Sequence, residues 1–429
     1  MWENNHKKNI VLNILLVLLI LAIVGALGYA MILVRAQTRE HDEQLSQIYV
    51  QQQQQQVEAR QESLTAIQAE YEKDMQTVAD YLPGIVCWGD SLTLGSSGNV
   101  SYPSVLKTYL DTYFCDIYDF RSTIENAEDY ARLKWDEYKV DVPVVNMGAG
   151  PESSQTILGR SGAMPYVLKS DLTIPAEAEP VEIFLQAVDE NPVTPLTGGN
   201  AGVNNVTIDG IEGVLAIDSS TSSYSSTYRY NFTRSVPGEE TVVPKGTQVL
   251  TAATDLYRNY IHVVCIGTYG KFSSADDLVN QVKLLLSRQT QNSDRFIVLG
   301  LCSVNGYTSS SFYMDQIDTA MMQAFGNRYI NVRKYLMEDG LADAGITQTS
   351  QDKQYISAGR VPLSFLSTSS SVELNGKAYT LLGKLVYSRM ESLGYFDEVY
   401  DELSIKETTK RILKDDPGYF DRIIKNTLN

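Results

Sequence analysis

The stretch IVCWGDSLTLGSSG at 85–98 holds the residues best placed to do chemistry. An apolar run ends at Trp88, Gly89 permits a sharp turn, and Ser91 follows at the carboxyl end of the expected strand. An open parallel sheet forms its ligand crevice at that end. A serine hydroxyl there can act as a nucleophile, provided that a neighbouring base accepts its proton. The triplet Gly89-Asp90-Ser91 also reads as an ordinary turn, because all three residue types favour turns. Histidine, the usual base, occurs only at His6, His41 and His262. The last falls within the apolar run IHVVCIG, which reads as a core strand.

Three further segments join the first in order along the chain: VVNMGAGPESSQTILGR, VVCIGTYG and LNGKAYTLLGKLVYSRM. Together the four resemble the sequence blocks of the SGNH/GDSL hydrolase superfamily, and the resemblance covers about residues 84–396. FGNRYINVRKYL and EDGLADAGIT are similar to the connecting region of bacterial members. The resemblance implies that Ser91 is the nucleophile and that its backbone N–H is one oxyanion donor. In the second block Asn146, Gly148 and Gly150 fit N-x-G-x-G. Pro151 stands where a further glycine is common and has no N–H, so the implied second donor is Gly150. In the third block Tyr269 stands at the position of the family's asparagine.

The fourth block departs most. Where the family has D-x-x-H before its last helix, this chain has Ser370 at the aspartate position and Glu373 at the histidine position. Loss of the histidine from a serine hydrolase triad costs on the order of 10⁶ in kcat, about 8 kcal/mol. Glu373 can serve as the base only if burial raises it from about 4.3 toward neutrality. A carboxylate beside Asn375 also suits the start of a helix electrostatically.

The surrounding sequence sets the scaffold. An apolar content of 43 % and a charged content of 20 % are those of a folded chain. The formal charge of −17 argues against a nucleic-acid partner, which needs a basic face. Four cysteines are too few for a disulfide framework in a chain of 429 residues. Cys87, Cys265 and Cys302 sit in apolar runs and read as small core residues. No zinc motif, phosphate-cradling loop or dinucleotide fingerprint is found, so no metal or cofactor is expected. Residues 10–34 are apolar apart from Asn13. As a helix they span roughly 37 Å, enough to cross a hydrocarbon core of about 30 Å. They read as an uncleaved anchor behind a cytoplasmic tail (1–9), with the rest of the chain outside the cell.

Residues 35–82 read as a helical stalk. Val50, Val57, Leu64, Tyr71 and Val78 recur every seven residues, while Gln53, Arg60, Ile67, Asp74 and Tyr81 half-fill the companion positions. A single helix and a homodimeric coiled coil both remain open. From residue 83 to about 400, strand candidates at 84–88, 143–147, 260–267 and 295–302 alternate with helix candidates at 103–114, 275–288, 314–325 and 376–393. This predicts an α/β fold with a doubly wound, flavodoxin-like parallel sheet of the SGNH-hydrolase type. A β-rich insertion is expected at about 172–249 and surface helices at 401–429. Tyr224, Tyr228, Tyr230 and Phe232 are candidates for stacking on sugar or for packing. Asn99, Asn205 and Asn231 head glycosylation sequons.

Two functions are implied. One is a surface esterase removing acyl groups from glycans; the other is a silent relative that keeps the crevice to bind an acylated glycan or small ester. The departures at Pro151, Tyr269 and Glu373 favour the silent relative. A partner-binding head on an assembled stalk is a third reading.

Overall fold

The computed structural model describes residues 2–95, 100–112, 141–186, 202–217, 229–290, 294–304, 311–368, 373–403, 414–416 and 418. A first unit, up to Tyr71, is helical; a second, globular unit begins at Glu72. Helix α1 (Trp2–Tyr81) carries the apolar span, exposed from Ile10 to Val34. By length and composition it can cross a membrane.

Five short apolar runs build the parallel sheet of the globular unit. They are β1 (Ile85–Gly89), β2 (Val144–Gly148) and, after a β-rich stretch, β12 (Ile261–Cys265), β13 (Phe296–Leu299) and β14 (Tyr329–Ile330). Their spatial order is β14-β13-β12-β1-β2. Counted along the chain within this sheet, that is 2-1-3-4-5 reversed, the flavodoxin-like order, with its switch point between β1 and β12. Every residue of β1 is buried, as expected of a central strand covered on both faces. Side-chain alternation sends Ile85 and Cys87 to one core, and Val86 and Trp88 to the other.

Helices cover both faces. Helix α2 (Ser91–Leu94) is a single turn directly after β1, and α3 (Tyr102–Asp111) begins at a capping box between Ser101 and Ser104. On the second face lie α4 (Ser154–Arg160), α5 (Ala275–Leu286) and α6 (Ser311–Phe325). Beyond β14 come α7 (Val332–Glu338), α8 (Ser350–Ser357) and α9 (Gly376–Ser392). Helix α9 packs on α3 so closely that a Cβ at Gly383 would lie 2.5 Å from Val105 Cβ. Glycine alone allows that approach.

The β-rich stretch is wider than its composition indicates. Strands β3 (Tyr166–Leu168), β4 (Leu172–Ile174), β5 (Val181–Ile183), β6 (Leu185–Gln186), β7 (Val206–Ile208), β8 (Ile211–Ile217), β9 (Tyr230–Arg234), β10 (Thr241–Val243) and β11 (Gln248–Thr251) occupy 166–251. Seven of them form an antiparallel sheet in the order β5-β9-β8-β7-β11-β3-β6, and β4 pairs with β10. Pairing of β3 with β6 and β11 extends this sheet upstream of 172. Tyr230 and Phe232 are buried in its core, so these two are packing residues; Tyr224 and Tyr228 lie outside the described residues. Asn205 is exposed and Asn231 half-buried, whereas Asn99 lies outside the described residues. Of the surface helices expected at 401–429, only 401–403, 414–416 and 418 are described.

The last turns of α1 belong to the globular unit. Val78 and Leu82 are buried in the core containing Ile85 and Cys87, with Met75 packed against it. Val78, the final member of the seven-residue repeat, is therefore not available to a coiled-coil seam. Arg295 Nη1 reinforces the junction by donating to the Tyr81 carbonyl at 3.0 Å. Leu82→Ala should cost about 2–5 kcal/mol of stability by opening a cavity. Leu45→Ala, on the exposed stalk, should change it by less than about 0.5 kcal/mol. Chemical denaturation of the globular unit in the full-length chain reads both.

Candidate functional site

Three expected site residues meet at the carboxyl edge of the sheet. Ser91 follows β1 at the start of α2, Gly150 follows β2, and Tyr269 lies in the loop after β12. A Cβ placed on Gly150 would lie 2.6 Å from Ser91 Cβ, so only glycine lets the second loop approach the serine. Among the described residues, the N–H groups of Ser91 and Gly150 have no hydrogen-bond partner. Gly267 and Gly270, both at positive φ, close the loop that carries Tyr269, with Gly270 N–H donating to Gly267 O at 3.0 Å. Tyr269 is half-buried there and shares a 2.7 Å hydrogen bond with Ser91 Oγ. Burial raises the phenol above its ordinary value of 10, against the pull of the Ser91 bond. Near neutral pH it remains protonated and accepts no proton from the serine.

Helix α4 organises this edge from below. Ser154 N–H and Oγ both donate to Gly270 O, at 3.3 and 2.9 Å, fixing the Tyr269 loop. Arg160, fully buried at the other end of α4, pairs with buried Glu152 through Nε at 3.1 Å and Nη2 at 2.9 Å. Its Nη2 also donates to Gly89 O at 3.4 Å, and its guanidinium lies 5.7 Å from the centre of the Trp88 ring. Ala149 N–H donates to the same Gly89 carbonyl at 3.1 Å. The turn leading into Ser91 is therefore held by α4 and by the loop that carries Gly150.

Asp90, with no exposed surface, caps α2 by accepting from Leu92 N–H at 3.0 Å. Burial pushes its carboxyl up to about 6, opposed by the Leu92 bond and by Thr268 beside it. The contact with Thr268 is marginal: neither Asp90 Oδ2 nor Thr268 Oγ1 completes a well-formed hydrogen bond.

The remaining candidates are placed elsewhere. His262 pairs in register with Val86, three residues before the end of β1 and thus about 10 Å short of the sheet's carboxyl edge. It is buried, its Nε2 contacts Tyr257 O at 3.2 Å, and burial lowers it to about 4. It is a strand residue and supplies no base to Ser91. Glu373 is exposed, and its carbonyl accepts from Ser367 N–H at 2.9 Å. Its charge reaches Tyr269 and Tyr379, but no hydrogen bond joins it to Ser91. The start of α9 is capped by Asn375, whose side chain accepts from Lys377 and Ala378 N–H. Glu373 stands two residues before that cap. Ser370 lies outside the described residues. Sequence reasoning missed Glu152 and Arg160, although a lone arginine between Gly159 and Ser161 in a buried helix was a usable signal.

Arg160→Ala should cost about 3–5 kcal/mol, because it leaves Glu152 buried without its cation. Replacing both by leucine should recover most of that loss, as read by denaturant midpoint. No family model, curated protein or solved structure gives a significant match to this chain.

Proposed function

We propose that the chain is a membrane-anchored relative of the SGNH/GDSL hydrolases that keeps the serine and its crevice but not ester turnover. The observation that carries this reading is the partner of Ser91: a neutral phenol, at 2.7 Å, where an esterase needs a base. The order of the four sequence blocks and the convergence of Ser91, Gly150 and Tyr269 at the switch point support the kinship. The crevice then serves to bind an ester-bearing ligand such as an acylated glycan, with the two unpartnered N–H groups receiving its carbonyl oxygen. The short basic N-terminus is placed in the cytoplasm and the globular unit outside the cell. Self-association, if the stalk supplies it, involves the helix before Tyr71.

The full-length chain in detergent micelles, exposed to a fluorophosphonate and to a small acetyl ester, tests the reading. Labelling and hydrolysis should be indistinguishable from those of Ser91→Ala, with both proteins folded by circular dichroism. Labelling that disappears in Ser91→Ala overturns the proposal and establishes an active serine.

A further inference from the structure

We propose that Asp90 and Glu152 form a buried acid pair that together holds one proton just below neutral pH, making the floor beneath Ser91 a proton-binding site. Charge counting leads to it. Both carboxyls and the Arg160 guanidinium are almost wholly removed from solvent, with exposures of 0 %, 1 % and 0 %. Two carboxylates and one guanidinium leave one uncompensated negative charge in the interior, which costs several kcal/mol unless it is neutralised. One proton removes that charge.

The oxygen inventory supplies the place for it. Glu152 Oε2 receives both Arg160 N–H bonds, and Asp90 Oδ1 receives Leu92 N–H. Glu152 Oε1 has no hydrogen-bond partner, and Asp90 Oδ2 has only the marginal contact with Thr268. Native interiors rarely leave such atoms bare. A carboxylic acid on either residue gains a donor that the paired carboxylates lack, and each carboxylate already opposes the ionisation of the other.

The described groups around the pair cannot replace the proton. Arg160 is already bound to Glu152. Cys265 and Cys302 face Asp90, and burial holds both thiols protonated. Tyr379 faces it from α9, Tyr269 from the crevice loop, and Tyr166 faces Glu152; burial keeps these phenols neutral. The more distant charge is that of Glu373, which is exposed. Burial raises both carboxyls of the pair, Asp90 to about 6. The proton is therefore released close to neutrality, and the released state puts a negative charge behind the Ser91 N–H.

Infrared spectroscopy of the full-length chain in micelles, with carbon-13-labelled aspartate and glutamate, tests the inference. A protonated-carboxyl stretch should be present at about pH 6 and lost as the pH rises through neutrality. Both Asp90→Asn and Glu152→Gln should abolish it, since either leaves one carboxylate balanced by Arg160. Ser91→Ala should retain it. Stability gives a second readout, taken as the difference between the wild type and Glu152→Gln, in which the opposite pH dependence of buried His262, lowered to about 4, cancels. In the window between an ordinary carboxylate value and that of the buried pair, the folded wild type holds a proton that its unfolded state has lost. That difference should therefore shift against the wild type as pH rises from about 4 to about 7, approaching tenfold in the folding equilibrium per pH unit. The proposal is overturned by the absence of the stretch at about pH 6, or by its survival in either isosteric variant, which would assign it to one acid acting alone. A stability difference that is flat or moves the other way over the same window also overturns it.

Discussion

A guanidinium enters a protein interior only with an acid to balance it and acceptors for its N–H groups. Arg160 finds both, and much of the sheet's carboxyl edge follows from how it does so. Glu152 takes two of its bonds, the Gly89 carbonyl a third, and the Trp88 ring lies beneath its plane. Its own carbonyl accepts from Thr251, the last residue of the antiparallel sheet. One side chain and its backbone thereby tie together the strand that carries the serine, the helix after the glycine loop, and the β-rich unit. The helix cannot shift without loosening the turn that presents Ser91.

What this rigid edge presents is a serine with an acidic-side neighbour and no basic one. The phenol of Tyr269 can donate a hydrogen bond or accept one, yet its burial favours the protonated form more strongly than in water. In the proposed reading, this hydroxyl pair and the two N–H groups beside it hold a ligand oxygen. Withdrawal of a proton would need a base, and among the described residues none is hydrogen-bonded to Ser91 Oγ. The histidine farther down β12 is as unsuited by its environment as by its position, since desolvation drives it toward the neutral form only to leave it enclosed among apolar side chains.

Much of this is legible in the amino-acid sequence. Central parallel strands covered on both sides are largely apolar runs, and 84–88, 260–267 and 295–302 each hold one, whereas 143–147 marks the edge strand β2, with Asn146 exposed. The two-residue β14 is not legible, because a run that short has no periodicity and is defined by its pairing with β13. The antiparallel sheet starts earlier than composition indicates for the same reason: Tyr166–Leu168 is a strand only because β6 and β11 flank it. Ser91, Gly150 and Tyr269 could be named from motif order. Glu152 and Arg160 lay inside one of those motifs, but their pairing is tertiary, and the motif draws attention to backbone N–H groups instead. Glu373 was legible as a substitution and illegible as a location, because exposure depends on how the segment before α9 folds back on Leu366.

Rooting α1 in the globular core bears on where a protease can part the globular unit from the apolar span. A protease that cuts upstream of Glu72 would liberate a head with its hydrophobic packing complete. One that cuts at Pro83 would strip away Met75, Val78 and Leu82 together and leave a gap along the β1 face. The turns that look like the end of a tether are a structural part of what the tether holds.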